Sequence, residues 1–287
     1  MYQVGLILEG GGMRGVYTAG VLDFFLKENI EIQNCYGVSA GLLNGMNYVA
    51  KQVGRTYRTV VNYIHDKNYC SVYSLLTTGN FFGTDMLYNR IPNELDPFDY
   101  ETFANSKSKL TAVYSNADTG QAEYRKLTDI KKEMCYVQAS CSLPLLSRMV
   151  SINGTNYLDG GITDSIPIEK AMRDGNKKNI VILTRHDGYQ KKEARLQYIL
   201  GKVLYPNHKE LLQAGRARHL LYNRQLELVK KQEQMKQAFV IRPEFPVTIS
   251  RGEKDKTKLK ALYEQGYMDA KHHYIDILEF LHGTSAI

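Results

Sequence analysis

The stretch that decides the fold reads Gln33-Asn34-Cys35-Tyr36-Gly37-Val38-Ser39-Ala40-Gly41-Leu42-Leu43-Asn44-Gly45-Met46-Asn47-Tyr48-Val49-Ala50-Lys51-Gln52-Val53. Asn34 to Tyr36 read as a buried strand. Leu42, Leu43, Met46, Val49, Ala50 and Val53 recur at helical spacing and make one apolar face. Between them Gly37-Val38-Ser39-Ala40-Gly41 matches G-x-S-x-G, a sharp strand-to-helix corner. Such a corner holds a serine hydroxyl clear of the sheet, above a helix N-terminus where a developing oxyanion is stabilised. Larger residues in place of Gly37 and Gly41 would clash there. Glycines around a serine are common in ordinary turns, so the weight comes from the strand before and the helix after.

Upstream, Gln3 to Leu8 is a nearly continuous apolar run, as expected of a central strand in a covered parallel sheet. Glu9-Gly10-Gly11-Gly12-Met13-Arg14-Gly15 follows, and then a helical pattern through Val16, Gly20, Val21, Phe24 and Phe25 to near Asn29. A glycine loop between strand and helix points several backbone N–H groups at one spot, which suits a phosphate or the oxyanion of a tetrahedral intermediate. Gly10, Gly12 and Gly15 also satisfy the dinucleotide pattern G-x-G-x-x-G. That pattern requires an acidic residue at the end of the second strand, about 20 residues on. Here the second strand runs into Gly37-Val38-Ser39, so the loop is read as oxyanion donors for Ser39, with Arg14 as its brace first and a substrate contact as the alternative.

Downstream, Thr84-Asp85 is read as an N-cap before Met86, and Pro92 and Pro97 as helix stops. Tyr57, Tyr63, Tyr69, Tyr73, Phe81 and Phe82 are assigned to core packing rather than to an acyl-chain pocket. Leu110 to Ser115 and Ala122 to Arg125 form a hairpin about Asp118-Thr119-Gly120, and a helix follows near Ile130 to Gln138. Asn153-Gly154 turns a second hairpin, Met149–Ile152 with Thr155–Leu158. That hairpin delivers Asp159-Gly160-Gly161. Taken alone, an Asp before two glycines reads as a turn; here the glycines let backbone pack beside Ser39 and leave the carboxylate free to reach its hydroxyl. A short helix (Ile168 to Arg173) and a buried strand (Asn179 to Thr184) complete an alternation that implies a mostly parallel sheet between helical layers.

Beyond residue 190 come long basic helices, roughly Glu193 to Tyr205 and Lys209 to Lys236, a strand Ala238 to Arg242, and a helix Lys256 to Leu281. The apolar stripe of that last helix is read as docking on the sheet rather than on a membrane. The expected organisation is a first part, residues 1–188, and a mainly helical extension, residues 189–287.

Composition narrows the class. With 43% hydrophobic and 23% charged residues the chain is globular. Cys35, Cys70, Cys135 and Cys141 show no C-x-x-C pair and no ligand spacing, so neither disulfide, zinc nor other cofactor is expected. Met1 leads directly into a strand, without a secretory signal, and no apolar run approaches the roughly 20 residues of a membrane span. A cytoplasmic location follows, with peripheral contact at the inner face of the membrane left open. Of the formal charge of +7, the excess lies late. Residues 186–260 hold 17 Lys and Arg against 8 Asp and Glu, whereas residues 1–100 hold 7 against 9. It is read as solvated helix faces, with an anionic membrane surface as the alternative and nucleic acid set aside.

Three ordered motifs, Gly10-Gly11-Gly12-Met13-Arg14-Gly15, Gly37-Val38-Ser39-Ala40-Gly41 and Asp159-Gly160-Gly161, resemble those of bacterial patatin-like phospholipases, over about residues 5 to 185. Ala139 to Pro144 is similar to a further block of that family, usually A-S-x-A-x-P, with Ser142 in place of the second Ala. The resemblance implies a three-layer α/β/α sandwich, a Ser39–Asp159 dyad, an oxyanion hole at Gly10, Gly11 and Gly12, and a lipid ester as substrate. Other readings stay open: a Ser39–Asp159–His186 triad, a nucleotide-binding module, or a non-catalytic lipid-binding scaffold. Substrate selectivity and oligomeric state are not legible.

Overall fold

The computed structural model describes residues 1–283. Its strands are β1 (Tyr2–Leu8), β2 (Ile32–Val38), β3 (Lys109–Asn116), β4 (Ala122–Leu127), β5 (Val150–Ile152), β6 (Thr155–Asp159), β7 (Asn179–Ile182) and β8 (Ala238–Ile241). They form one sheet in the order β5-β6-β3-β2-β1-β7-β8, with β4 on β3. The segments β3, β2, β1, β7 and β8 run parallel; β4, β5 and β6 pair antiparallel.

Alternation along each strand sets the layers. Leu6, Leu8 and Cys35 face one core with Val16, Phe25, Leu42 and Met46 from the helices Gly15–Lys27 and Ala40–Val49. Ile7, Tyr36 and Val181 face the other, with Ile168, Ala171, Tyr222 and Val229 from the helices Ile168–Arg173 and Lys209–Gln234. Burial on both faces explains why β1 reads as a continuous apolar run, and it makes the molecule a three-layer α/β/α sandwich.

Residues beyond 188 build into this frame. β8 pairs with β7 along Ala238–Ile241. The helix Lys256–His272 crosses Gly15–Lys27 so closely that a Cβ on Gly20 would lie 2.1 Å from the Tyr263 carbonyl, and one on Gly266 2.1 Å from that of Tyr17. Two 2.7 Å hydrogen bonds flank the crossing, Tyr17 to Asp269 and Tyr263 to Asp23. The apolar stripe of the last helix is thus spent on the sheet domain, as its periodicity implied. That helix is two, however: it breaks at His273, and Tyr274–His282 continues, burying Ile277 and Leu281.

Two other readings are corrected. The helix after Ser39 stops at Val49, so Val53 lies outside it and is 55% exposed rather than part of the apolar face. Thr84-Asp85 caps nothing through its side chain. The helix Met86–Leu95 is wound in wide π turns that carry Pro92 inside it, and the π winding accommodates the missing proline N–H that would end a regular helix.

Candidate active site

Ser39 occupies the corner between β2 and the helix Ala40–Val49 with φ 55° and ψ −124°, a left-handed conformation unfavourable for a side chain. The surroundings hold it there. The Ser39 carbonyl accepts from the N–H groups of Leu42 and Leu43 at 2.9 and 3.2 Å, and its own N–H donates to Ser140 Oγ at 3.1 Å. Gly41 is required by proximity, since a Cβ there would sit 2.3 Å from the Leu8 carbonyl oxygen; at Gly37 the obstacle is the Leu42 backbone at 2.5 Å.

Asp159 reaches Ser39 through the register of β3. Leu110 to Val113 carry β2 on one edge and β4 on the other. Tyr114 and Ser115 still carry β4, so β6, which pairs Asp159 with Tyr114 and Leu158 with Ser115, occupies the edge that β2 has vacated. β2 and β6 therefore meet end to end. Gly160 makes the junction, its absent Cβ leaving room for the Val113 carbonyl, which would be 2.2 Å away. The Asp159 N–H donates to the Ser142 carbonyl at 2.8 Å. The Ala139–Pro144 block thus touches both residues, through Ser140 to Ser39 and Ser142 to Asp159. The Ser142 contact is made by backbone, so Ser for Ala there leaves it intact.

The Asp159 carboxyl is 3% exposed. Oδ1 accepts from the Gly161 N–H at 2.7 Å, and Oδ2 is buried without a hydrogen-bond partner. Burial holds its pKa above the ordinary carboxylate range, opposed first by the nearby Ser39 hydroxyl and then by Arg218. The hydroxyl is close enough to favour the ionised form, yet Oδ2 is left without a hydrogen bond, as is common before substrate binds.

The glycine loop faces the same cleft. Gly10, Gly11 and Gly12 line it together with Ser39, Asp159 and Gly161. A Cβ on Gly10 would lie 3.1 Å from Ser39 Cβ, and one on Gly15 would lie 2.8 Å from Ala40 Cβ. Gly12 has φ 59°, and the next N–H, of Met13, donates to the Arg251 carbonyl at 3.1 Å. Glu9, which no motif singled out, is buried at the base of the loop. Its carboxylate accepts from the Thr184 N–H at 2.6 Å, the Thr184 hydroxyl at 3.0 Å and the Tyr222 hydroxyl at 2.7 Å.

Two expectations change here. Arg14 is buried and lines the cleft, but its side chain makes no hydrogen bond to the loop, so it is not a brace. Lys191, Arg218 and Arg251, from the stretch read as solvated helix faces, also line the cleft with Arg185. His186 turns away from it. That ring faces a separate cleft with Tyr189, Asn223 and Arg242 and has no part in the cleft of Ser39.

An apolar cleft opens on the other side of Ser39, lined by Met13, Leu43, Val60, Leu87, Tyr88 and Cys141 among others. Tyr69 and Phe82 also line it, so two of the aromatics assigned to plain packing form its wall. Spacing in sequence could not separate them from Tyr57 or Tyr73, because the wall is assembled from the loops and helices between residues 56 and 88.

Among the described residues no helix is long and apolar enough to cross a membrane. Comparison with known proteins fits this geometry. A curated relative, the uncharacterized protein YjjU of Escherichia coli K12, is 32% identical over 187 residues, covering 63% of this chain and 52% of its own length. The lysophospholipase NTE1 of Meyerozyma guilliermondii is 28% identical over 193 residues, covering 62% of this chain, and that of Candida albicans 27% over 190. The matched region is thus about half of the bacterial relative and only 12% of the first fungal one. Among solved structures, VipD of Legionella pneumophila overlaps 96% of this chain and 67% of its own with a TM-score of 0.48 and 14% identity. Residues 208–282 match a domain of unknown function, DUF6363. Residues 6–172, which hold Ser39, Asp159 and the glycine loop, match the patatin-like phospholipase family, and the chain belongs to that family.

Proposed function

We propose that this chain hydrolyses carboxylic esters of lipids, with Ser39 as nucleophile, Asp159 as its general base and the backbone N–H groups of the Gly10–Gly12 loop as oxyanion donors. One observation carries the reading: a serine in a strained strand-to-helix corner and a buried carboxylate with a free oxygen meet end to end along β3, opposite a glycine loop in the same cleft. In the reaction the Ser39 hydroxyl attacks the ester carbonyl while Asp159 takes its proton. The tetrahedral oxyanion rests on the loop, collapse expels the alcohol, which takes the proton from Asp159, and water, deprotonated in turn by Asp159, releases the acid from the acyl-enzyme as the proton returns to Ser39. A carboxylate is a weak base in water; with its pKa raised by burial it becomes a competent one. Each oxyanion donor contributes on the order of 3 kcal/mol to the transition state.

The apolar cleft supports an acyl chain as the leaving acid. The lysophospholipase names of the fungal relatives support a glycerophospholipid with one acyl chain as substrate. Residues 1–188 act as the catalytic part and residues 189–287 as an extension that completes its cleft. The helix Arg195–Leu204 supports peripheral contact with a lipid surface: Leu196, Ile199, Leu200, Val203 and Leu204 are all exposed on it.

The test is a serine-directed fluorophosphonate probe together with p-nitrophenyl esters of increasing chain length. Labelling at Ser39, lost in Ser39→Ala, and ester turnover are expected; folded protein that takes no label and turns over no ester would sink the hydrolase reading. Saturable nucleotide binding, or vesicle binding without turnover, would then favour the module or scaffold.

A further inference from the structure

Five cationic side chains, Arg14, Arg185, Lys191, Arg218 and Arg251, line the polar cleft beside Ser39. Among the described residues none of them forms an ion pair with a carboxylate. The two carboxylates present, Glu9 and Asp159, offset part of this charge through space, but two acids against five cations leave the cleft with an excess of positive charge. Glu9 has both oxygens engaged by Thr184 and Tyr222, and Asp159 gives one to the Gly161 N–H. Neutral groups hold some of the cations instead. The Lys191 ammonium lies 4.0 Å from the centre of the Tyr222 ring, and the Arg185 guanidinium 4.6 Å from that of Tyr189, with Nη1 donating to the Val247 carbonyl at 3.3 Å. Aromatic faces and carbonyls position a cation without cancelling its charge.

Arg14 is 7% exposed, and its Nε, like that of Arg218, is buried with no hydrogen-bond partner. Unpaired buried guanidinium groups are unfavourable. The crowding shows in titration: burial beside Arg185 pulls Arg14 down to about 10, and burial beside Arg218 pulls Lys191 down to about 7. An anion in the cleft would relieve all of this at once.

The position of the cleft says which anion. The polar and apolar clefts share Gly12, Ser39 and Leu143. An ester carbonyl at Ser39 therefore sends its acyl chain into one and its alcohol portion into the other. Resting on the hydrolase reading above, we propose that the cationic cleft binds the phosphate on the alcohol side of a glycerophosphate ester, and that it selects esters whose phosphate carries no cationic headgroup. A phosphate monoester brings nearly two negative charges at neutral pH and accepts charge-assisted hydrogen bonds from several donors. A choline group would put a further cation among five. Arg185, Lys191, Arg218 and Arg251 all lie beyond residue 172, where the family match ends, so the selectivity belongs to the later part of the chain.

Hexanoyl lysophosphatidate, hexanoyl lysophosphatidylcholine and monohexanoylglycerol differ only beyond the glycerol. The ratio of their kcat/KM values within one preparation therefore isolates the cleft from the state of the nucleophile. The expected result is lysophosphatidate favoured about a hundredfold over the other two, with that preference reduced about tenfold in Lys191→Gln and in Arg251→Gln. Equal kcat/KM values for the three esters would overturn the proposal and leave the hydrolase reading standing, as would a preference that neither variant alters. Inorganic phosphate separates the sources: competitive inhibition by phosphate without any preference for the phosphorylated ester assigns the cleft to a free anion and overturns the headgroup assignment. If none of the three esters turns over, the fluorophosphonate label judges the hydrolase reading and thermal shift judges the cleft. Lysophosphatidate must then still raise Tm above the value with monohexanoylglycerol, and the difference must vanish in Arg251→Gln; no difference in the unmodified protein rejects the proposal.

Discussion

Val38 and Asp159 are end-to-end neighbours on one edge of β3: Val38 opposes Val113, Asp159 opposes Tyr114, and Ser39 follows Val38 into the space between the two strand ends. A parallel ladder and an antiparallel one share a single backbone edge, and their junction is where the hydroxyl and the carboxylate face each other. The separation of 39 and 159 in sequence is thus resolved by register, without a long side-chain reach. On the proposed mechanism Asp159→Asn keeps that register and removes only the base, so fluorophosphonate labelling of Ser39 is expected to slow by about a thousandfold or more. In the unmodified protein the acid limb should lie above the ordinary carboxylate range, because burial raises the Asp159 pKa and lowering the pH through it protonates the base. A rate independent of pH down to ordinary carboxylate pKa values would remove Asp159 from that role.

The strain at Ser39 yields a stability prediction. A side chain at φ 55° and ψ −124° costs on the order of 1–3 kcal/mol, which glycine avoids. Ser39→Gly should abolish labelling, as Ser39→Ala does, yet unfold with a midpoint higher than that of Ser39→Ala by about 1 kcal/mol of stability. Denaturant titration of the two variants compares them directly; equal midpoints would mean that the corner carries no such strain.

How much of this was legible depended on distance in sequence. The corner, the glycine loop and the Asp159 turn are local patterns, each set by glycines whose Cβ would collide with a neighbouring backbone, and the structure brings them to one cleft. The sheet could be inferred because β1 and β7 are buried on both faces. What escaped came from long range. Glu9 looks like an ordinary loop acid until Thr184 and Tyr222 close on it. Arg218 lies on a helix and Lys191 and Arg251 in loops whose polar residues resemble any solvated surface, and only the folding of residues 189–283 back over the glycine loop turns them inward. Val53 and His273 failed for the opposite reason, since helical periodicity carries no stop signal where a helix ends without proline or an immediate glycine.

His186 provides a clean contrast. It follows β7 in the chain order of a hydrolase triad, but it lies in a cleft apart from Ser39. His186→Ala should keep ester turnover within about threefold of the unmodified protein, against the thousandfold loss for Asp159→Asn. A loss as large as that of Asp159→Asn would bring the triad back.

Lys191 sets an alkaline limit on phosphate selectivity. Burial, reinforced by Arg218, brings its ammonium to about 7, with Arg14, Arg251 and Glu9 also facing it. The charge is present below about pH 7 and lost as the pH rises through it. The preference for lysophosphatidate over monohexanoylglycerol should therefore fall several-fold between about pH 6.5 and 8.5. Lys191→Arg, which stays charged throughout, should flatten that dependence. A profile unchanged by Lys191→Arg would assign it to another group.

The exposed face of the helix Arg195–Leu204 bears on the proposed contact with a lipid surface. Five large apolar side chains stand outward within ten residues, Val203 at 76% exposure and Leu196 at 69%, beside Lys202 and Arg195. The opposite face of the helix is engaged: Gln197, Tyr198 and Gly201 line a groove with Tyr205, Leu212 and Arg218, and Arg218 also lines the polar cleft beside Ser39. A lipid surface in contact with the outward face would thus lie next to the cleft that receives the headgroup. Fully burying a Val or Ile side chain gains roughly 1.5–3 kcal/mol. Placing Glu at both Ile199 and Val203 removes two such contributions and adds two charges repelled by anionic lipid. Cosedimentation with anionic vesicles should consequently fall more than a hundredfold. Turnover of a short soluble ester should persist, because neither side chain lines a cleft with Ser39. Vesicle binding unchanged by the double substitution would move the lipid contact elsewhere, and loss of soluble-ester turnover together with binding would mean that the helix supports the fold rather than the surface.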